Sequence, residues 1–423
     1  MSENFDPYRA VINYLPDDTS RRGADGLDTL SNPTTAARAN PRERKPVVAT
    51  PYVWTPPEAI PTRQWLYGRY LLRKFVSATV APGGVGKAAL NIAETCAMVS
   101  GKNLLGGTLP HVGRLRVWYL NLEDPREEIS RQIQATALQY GLQPDDFGDR
   151  LFVDSGREQE FVIAETQPRG AVICRPVVDS IIDQLLEHAI DCLIVDPFVS
   201  SHAVAENDNG AIDMVIKQWG KIADATNCAI GLVHHTRKAA AGDTEVTAES
   251  SRGGKALVDG CRAVRVINRM TKEEAERAGV DNPRLYFRTL NDKANLTPPS
   301  ERSDWYRLVG VDLGNGGQRP GDELGVVTKW SWPDAFDGVT TGDLQRVQVA
   351  MASGEWKENA QAKNWAGRAV ADTLDLDLTD PSARAKVKAM LKEWTANGVL
   401  RIVRKPDEYR RDCPFVEVGE WVK

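Results

Sequence analysis

Residues 81–88 read Ala-Pro-Gly-Gly-Val-Gly-Lys-Ala and follow the apolar run Phe75-Val76-Ser77-Ala78-Thr79-Val80. A strand that feeds a glycine-rich turn and then a helix is a phosphate-binding arrangement. Bare backbone N–H groups curl round phosphate oxygens at the helix N-terminus, and a lysine adds a mobile positive charge. Gly83, Gly84, Val85, Gly86, Lys87, Ala88 and Ala89 are therefore the candidate nucleotide-binding residues. The phosphate-loop pattern Gly-x-x-x-x-Gly-Lys-Ser/Thr is met except at its ends, where Ala81 stands for the first glycine and Ala88 for the hydroxyl residue. That hydroxyl ordinarily ligates Mg²⁺. The expectation is a loop that binds nucleotide and turns it over weakly.

Three further apolar runs end in polar residues that could serve such a loop. Asp191-Cys192-Leu193-Ile194-Val195-Asp196 brings an acid to the C-terminal edge of a sheet, where Asp196 would hold Mg²⁺ through water. The alternative is an aspartate that simply ends a strand. Val117-Trp118-Tyr119-Leu120-Asn121-Leu122-Glu123-Asp124 ends in two acids. Glu123 is assigned to orienting an attacking water for in-line displacement, and Asp124 to capping the helix that Asp124-Pro125 begins. Ile230-Gly231-Leu232-Val233-His234-His235 ends in paired histidines, where a sensor of the terminal phosphate would sit. Zinc is not indicated, because no third or fourth ligand has metal-site spacing nearby. Small and polar residues from Thr236 to Lys255 read as a loop flanked by Arg237, Lys238, Arg252 and Lys255. It is either solvated or turned to a polyanion or a neighbouring subunit's phosphates. Arg262 begins the next strand and could reach across an interface, since a guanidinium matches phosphate geometry.

The elements that must position these residues alternate in type. Strands are expected at 75–80, 115–121, 151–154, 192–196, 228–234, 263–268 and 285–290, with helices at 87–99, 126–140, 176–189 and 209–226. This is the pattern of an α/β core with a mainly parallel sheet, placed at 51–330. The runs 305–310 and 325–330, with glycine-rich turns between, suggest a closing hairpin. From 335 to 423 the character changes. Helices at 341–353, 362–374 and 381–396 precede the paired runs Leu400-Arg401-Ile402-Val403 and Phe415-Val416-Glu417-Val418. Three helices and a hairpin is winged-helix order, with 381–396 in the recognition-helix position; a compact interaction domain of another topology is the alternative. Residues 1–50 show no sustained periodicity and read as a disordered arm. Its basic cluster is Arg38, Arg42, Arg44 and Lys45.

The 423 residues can bury a large core, and the formal charge of −5 argues against a general polycation that coats nucleic acid, though not against a local basic groove. Six cysteines without C-x-x-C pairing read as free thiols in a reducing cytoplasm. No run approaches the ~20 apolar residues that span a bilayer, so no membrane partner is expected.

Taken together these residues resemble the RepA-type hexameric helicases within the RecA-like P-loop ATPases. The resemblance is carried by Ala-Pro-Gly-Gly-Val-Gly-Lys at 81–87, Asn121-Leu122-Glu123-Asp124, Val195-Asp196-Pro197, Glu206-Asn207-Asp208-Asn209, Val233-His234-His235-Thr236, and Ser251-Arg252-Gly253-Gly254 with Ala256-Leu257-Val258-Asp259-Gly260. It covers roughly 65 to 295. It implies an ATPase using ATP and Mg²⁺ between subunits of a homo-oligomeric ring, a hexamer, with single-stranded DNA in a central channel. It places the phosphate-binding lysine at Lys87, the water-orienting glutamate at Glu123, the metal-site acid at Asp196, the sensor on the His234–His235 pair and an in-trans arginine at Arg262. The loops at about 198–209 and 237–255 would face the channel. They lack aromatics apart from Phe198, so contact to phosphates through Arg237, Lys238 or Lys255 is expected rather than base stacking.

Overall fold

The computed structural model describes residues 47–106, 113–236, 245–247, 254–297 and 303–422. The chain divides into two units, 1–60 and 61–423. In the first, the described stretch 47–60 has one 3₁₀ turn at Pro57–Ala59 and leaves Tyr52, Val53 and Trp54 exposed. Most of the expected arm, with its basic cluster, lies outside the described residues.

The second unit opens with a short antiparallel ladder, β1 (Trp65–Tyr67) and β2 (Leu71–Leu72). Strand and helix then alternate through β3 (Val76–Ala81), α1 (Lys87–Ser100), β4 (Val117–Asn121), α2 (Arg126–Tyr140), α3 (Pro144–Phe147) and β5 (Leu151–Ser155). The hairpin β6 (Ala164–Gln167) and β7 (Gly170–Ile173) leads to α4 (Arg175–Glu187), β8 (Cys192–Asp196), α5 (Asn209–Thr226), β9 (Ala229–His235), α6 (Gly254–Gly260) and β10 (Ala263–Arg269). After α7 (Lys272–Ala278) the chain turns back as β11 (Tyr286–Ala294), β12 (Asp304–Asp312) and β13 (Glu323–Trp330). The expected closing hairpin is thus the β12–β13 pair.

These strands form one nine-stranded sheet in the order β13-β12-β11-β10-β3-β9-β8-β4-β5. The strands from β10 to β5 in that order run parallel, and β11, β12 and β13 extend the β10 edge antiparallel. β3, β4 and β8 are buried along their whole length, as strands must be when helices cover both faces. Side chains alternate between the faces. Val76, Ala78, Val80, Leu193, Val195, Ile230 and Leu232 pack with α4 and α5 through Val178, Ile181, Val215 and Trp219. Val117, Tyr119, Ile194 and Val233 pack on the other face with Ile92 and Cys96 of α1 and Ile129 of α2.

The remaining chain forms α8 (Thr341–Ala352), β14 (Trp356–Lys357), α9 (Ala366–Leu374), α10 (Pro381–Ala396), β15 (Leu400–Pro406) and β16 (Asp412–Val418). The two-residue β14, too short to announce itself, adds to the expected hairpin to give the sheet order β14-β16-β15. Trp365, Trp394, Met351, Val370, Val387 and Met390 build a core of their own. The first turn of α10 lies against the end of α7, where Gly279 has φ +66 and any Cβ would collide with Ser382. Among the described residues no helix is long and apolar enough to cross a membrane.

Candidate functional site

β3 delivers the chain to the glycine-rich loop at the C-terminal edge of the parallel strands. Gly86, the N-cap residue of α1, has φ +99, and a Cβ there would press on Phe287 at 3.2 Å and on Leu308 at 3.3 Å. The backbone conformation requires glycine at this position, and the space beside it is tight. Val85 is buried against Phe287, Tyr306 and Val327 and anchors the loop, while Gly83 and Gly84 stay exposed. No side chain caps α1, so the positive end of its dipole and its first N–H groups are left for an anion. Ala88 and Ala89 are half-buried on the first turn.

Arg269, at the end of β10, holds the loop from outside, its Nη2 donating to Gly83 O at 3.0 Å and Gly84 O at 2.7 Å. Sequence reasoning missed this residue. The contact spans 186 positions and depends on β10 pairing beside β3, which no local pattern announces.

Lys87 Nζ lies 3.0 Å from Nε2 and 3.3 Å from Nδ1 of His235, and 3.8 Å from Asp196 Oδ1. Burial lowers its pKa below the ordinary lysine value, and the nearby charges of Asp196 and Glu123 oppose that fall. The ammonium is thus largely stripped of water, with two acids near it, a state in which an incoming phosphate gains strongly from the charge. Asp196 is buried, and its Oδ2 accepts from Asn91 Nδ2 at 3.3 Å and from Tyr119 Oη at 3.2 Å. Glu123 is exposed just past β4, which pairs with β8 so that Asn121 stands opposite Asp196. Mg²⁺ is typically bound through one or two carboxylates, waters and substrate phosphates. Asp196 and Glu123 fit that donor set, and a hydroxyl from residue 88 is missing from it.

The histidines part company. Strand alternation turns His235 to the α1 face and Lys87, whereas His234 is buried on the opposite face with its ring 5.9 Å from that of Phe198. Asp124 does not cap α2. Pro125 is the N-cap residue with no side-chain cap, and Asp124 Oδ2 accepts from Asn121 Nδ2 at 3.0 Å. Asn121 Oδ1 in turn accepts from the backbone N–H of Glu123 at 3.0 Å and Asp124 at 2.8 Å, so a turn built on Asn121 claims the acid instead. Arg262 is exposed and its N–H donates to Val76 O at 3.0 Å, which puts it at the start of β3, the end remote from the loop. Lys255, expected in the loop after His235, is an exposed residue of α6. Arg237, Lys238 and Arg252 lie outside the described residues.

Residues 42–241 match the sequence family described as "AAA domain". That stretch is just under half of the chain and contains the loop, Glu123, Asp196 and His235. It also spans β3, β4, β8 and β9, in a sheet where β9 separates the loop strand from the Asp196 strand. The core is an α/β domain with a mostly parallel central sheet and a glycine-rich loop between its strand β3 and helix α1. Among solved structures, one titled "Crystal structure of the RadB recombinase" is similar at 13% identity, covering 62% of this chain and 93% of that one, with a TM-score of 0.38.

Proposed function

We propose that the chain binds ATP with Mg²⁺ at this loop, hydrolyses it slowly because of Ala88, and acts as a ring-forming motor ATPase on DNA, a RepA-like helicase or translocase. The observation that carries the reading is Lys87, poised at the loop's end between buried Asp196 and His235, with Glu123 near enough to act on its charge. Loop N–H groups and Lys87 hold the phosphates, and Arg269 keeps the loop in shape. Asp196 would hold the metal, which when bound offsets phosphate charge. Glu123 accepts a hydrogen bond from the attacking water and orients it for in-line displacement, and His235, linked to Lys87, responds to the terminal phosphate. Arg262 is too far from its own loop and would serve a neighbouring copy in a homo-oligomer, six copies being what the resemblance to RepA-type helicases implies. Arg237, Lys238, Arg252 and Lys255 meet single-stranded DNA through its phosphates.

The test compares ATP hydrolysis by this chain and by Ala88→Ser, each with and without single-stranded DNA. Restoring the hydroxyl should raise the rate by about tenfold or more, in line with what lost metal-site partners cost elsewhere, and DNA should stimulate it further. Equal rates for the two chains would remove Ala88 as the brake.

A second reading is a nucleotide-switched regulator or scaffold that binds duplex DNA or protein through residues 335–423, taken as a winged helix. It is favoured by the exposed Lys388 and Lys392, one turn apart on α10, and by exposed Arg410 and Arg411 between β15 and β16. Duplex binding without DNA-stimulated hydrolysis in Ala88→Ser would select it.

A further inference from the structure

We infer that Asn91 is a positioning residue for the metal-site acid and stands in for part of what the absent hydroxyl at residue 88 would do; this rests on the ATP–Mg²⁺ reading above. Asn91 lies three residues beyond Ala88, on the same side of α1 and one turn further from the loop. Its carboxamide joins two charged groups. Nδ2 donates to Asp196 Oδ2 at 3.3 Å, and Oδ1 accepts from Arg265 Nη2 at 3.3 Å. A carboxylate can only accept and a guanidinium can only donate, so the two ends of the amide are not interchangeable.

Arg265 is itself immobilised. It forms a paired contact with Glu94, Nη1 to Oε1 at 2.5 Å and Nη2 to Oε2 at 2.6 Å, and its Nε donates to Thr79 Oγ1 at 2.8 Å. Its guanidinium sits 3.9 Å from the centre of the Tyr70 ring. Glu94, Arg265, Asn91 and Asp196 are all buried, so the chain of contacts is shielded from water. Asn91 and Tyr119 together occupy Asp196 Oδ2 and leave Oδ1 toward Lys87. Where residue 88 carries a hydroxyl, α1 grips the metal directly. Here α1 acts one step removed, by fixing the carboxylate that faces it. The bland alternative is that Asn91 merely satisfies a buried arginine, which would cost stability and leave the metal requirement alone.

The test uses the full chain, a fluorescent ATP analogue, and MgCl₂ titrated against EDTA, with thermal unfolding measured alongside. Asn91→Ala should raise the Mg²⁺ concentration at half-effect by about tenfold, while analogue affinity in EDTA stays unchanged. Tyr119→Phe should shift the half-effect the same way, and it carries the test if Asn91→Ala does not fold. An Mg²⁺ half-effect unmoved in a folded variant, or affinity lost equally in EDTA and Mg²⁺, overturns the inference. If the unaltered chain binds the analogue without any Mg²⁺ effect, this inference fails together with the metal part of the reading, and nucleotide binding at the loop stands. If it binds no analogue at all, the reading of the site fails with it.

Discussion

His202 lies just beyond the Asp196 end of β8, its ring centre 4.8 Å from that of Phe198, and burial pushes its pKa from 6.5 down to about 4. The unfolded chain takes up a proton on this residue below about pH 6.5, whereas the folded chain resists until about pH 4. Between those values the unfolded state holds more protons, so stability falls as pH falls. A shift of this size corresponds to about 3 kcal/mol once both pKa values are passed. Denaturant unfolding from pH 7 to pH 4 should therefore show a loss about 2–3 kcal/mol greater in this chain than in His202→Phe. Matching pH profiles for the two chains would clear His202 of the effect. Nothing in the sequence around Ser201-His202-Ala203 marks this residue as buried, although its ring packs edge-on against Phe198 only four residues earlier.

At the scale of elements, β10 and α1 are joined through Arg265 and Glu94 across 171 residues. Removing one partner of a buried pair strands the other charge, which typically costs about 3–5 kcal/mol, whereas replacing both by apolar groups is often close to neutral. Arg265→Leu should lower stability by about that amount, and Arg265→Leu with Glu94→Leu should recover most of it, read from denaturant midpoints. A double variant as unstable as the single one would show that the loss comes from packing. Continuous apolar runs such as 192–196 and strong 3.6-residue periods such as 209–226 placed β8 and α5 at their observed limits. Short pieces such as β14 and α3 offered too few residues for a period, and α6 was not expected, its first two residues falling in the expected loop. The candidate edge was legible because Asp196 and His235 each end a strand and Glu123 follows one by two residues. What was not legible is what crosses between strands: Arg269 on the loop carbonyls, Asn121 taking Asp124 from the helix, and Asn91 between Arg265 and Asp196.

For the whole molecule the decisive distance is the one between Arg262 and the loop. Arg262 joins the start of β3 at Val76, and the loop leaves β3 after Ala81. Five residues of strand separate them, roughly 17 Å at ~3.3 Å per residue. A side chain anchored there could reach only the loop of a neighbouring copy, a contact that the proposed ring would supply head to tail. Mixing variants tests this in the Ala88→Ser background, where hydrolysis is expected to be measurable. Lys87→Ala loses its own loop and keeps its arginine, and Arg262→Ala does the reverse, so each alone should be inactive. In an equal mixture that exchanges subunits, an intact loop meets an intact arginine at about one interface in four, so about a quarter of the activity should return. An arginine acting on its own loop, or one that only stabilises the fold, would leave the mixture as inactive as its parts.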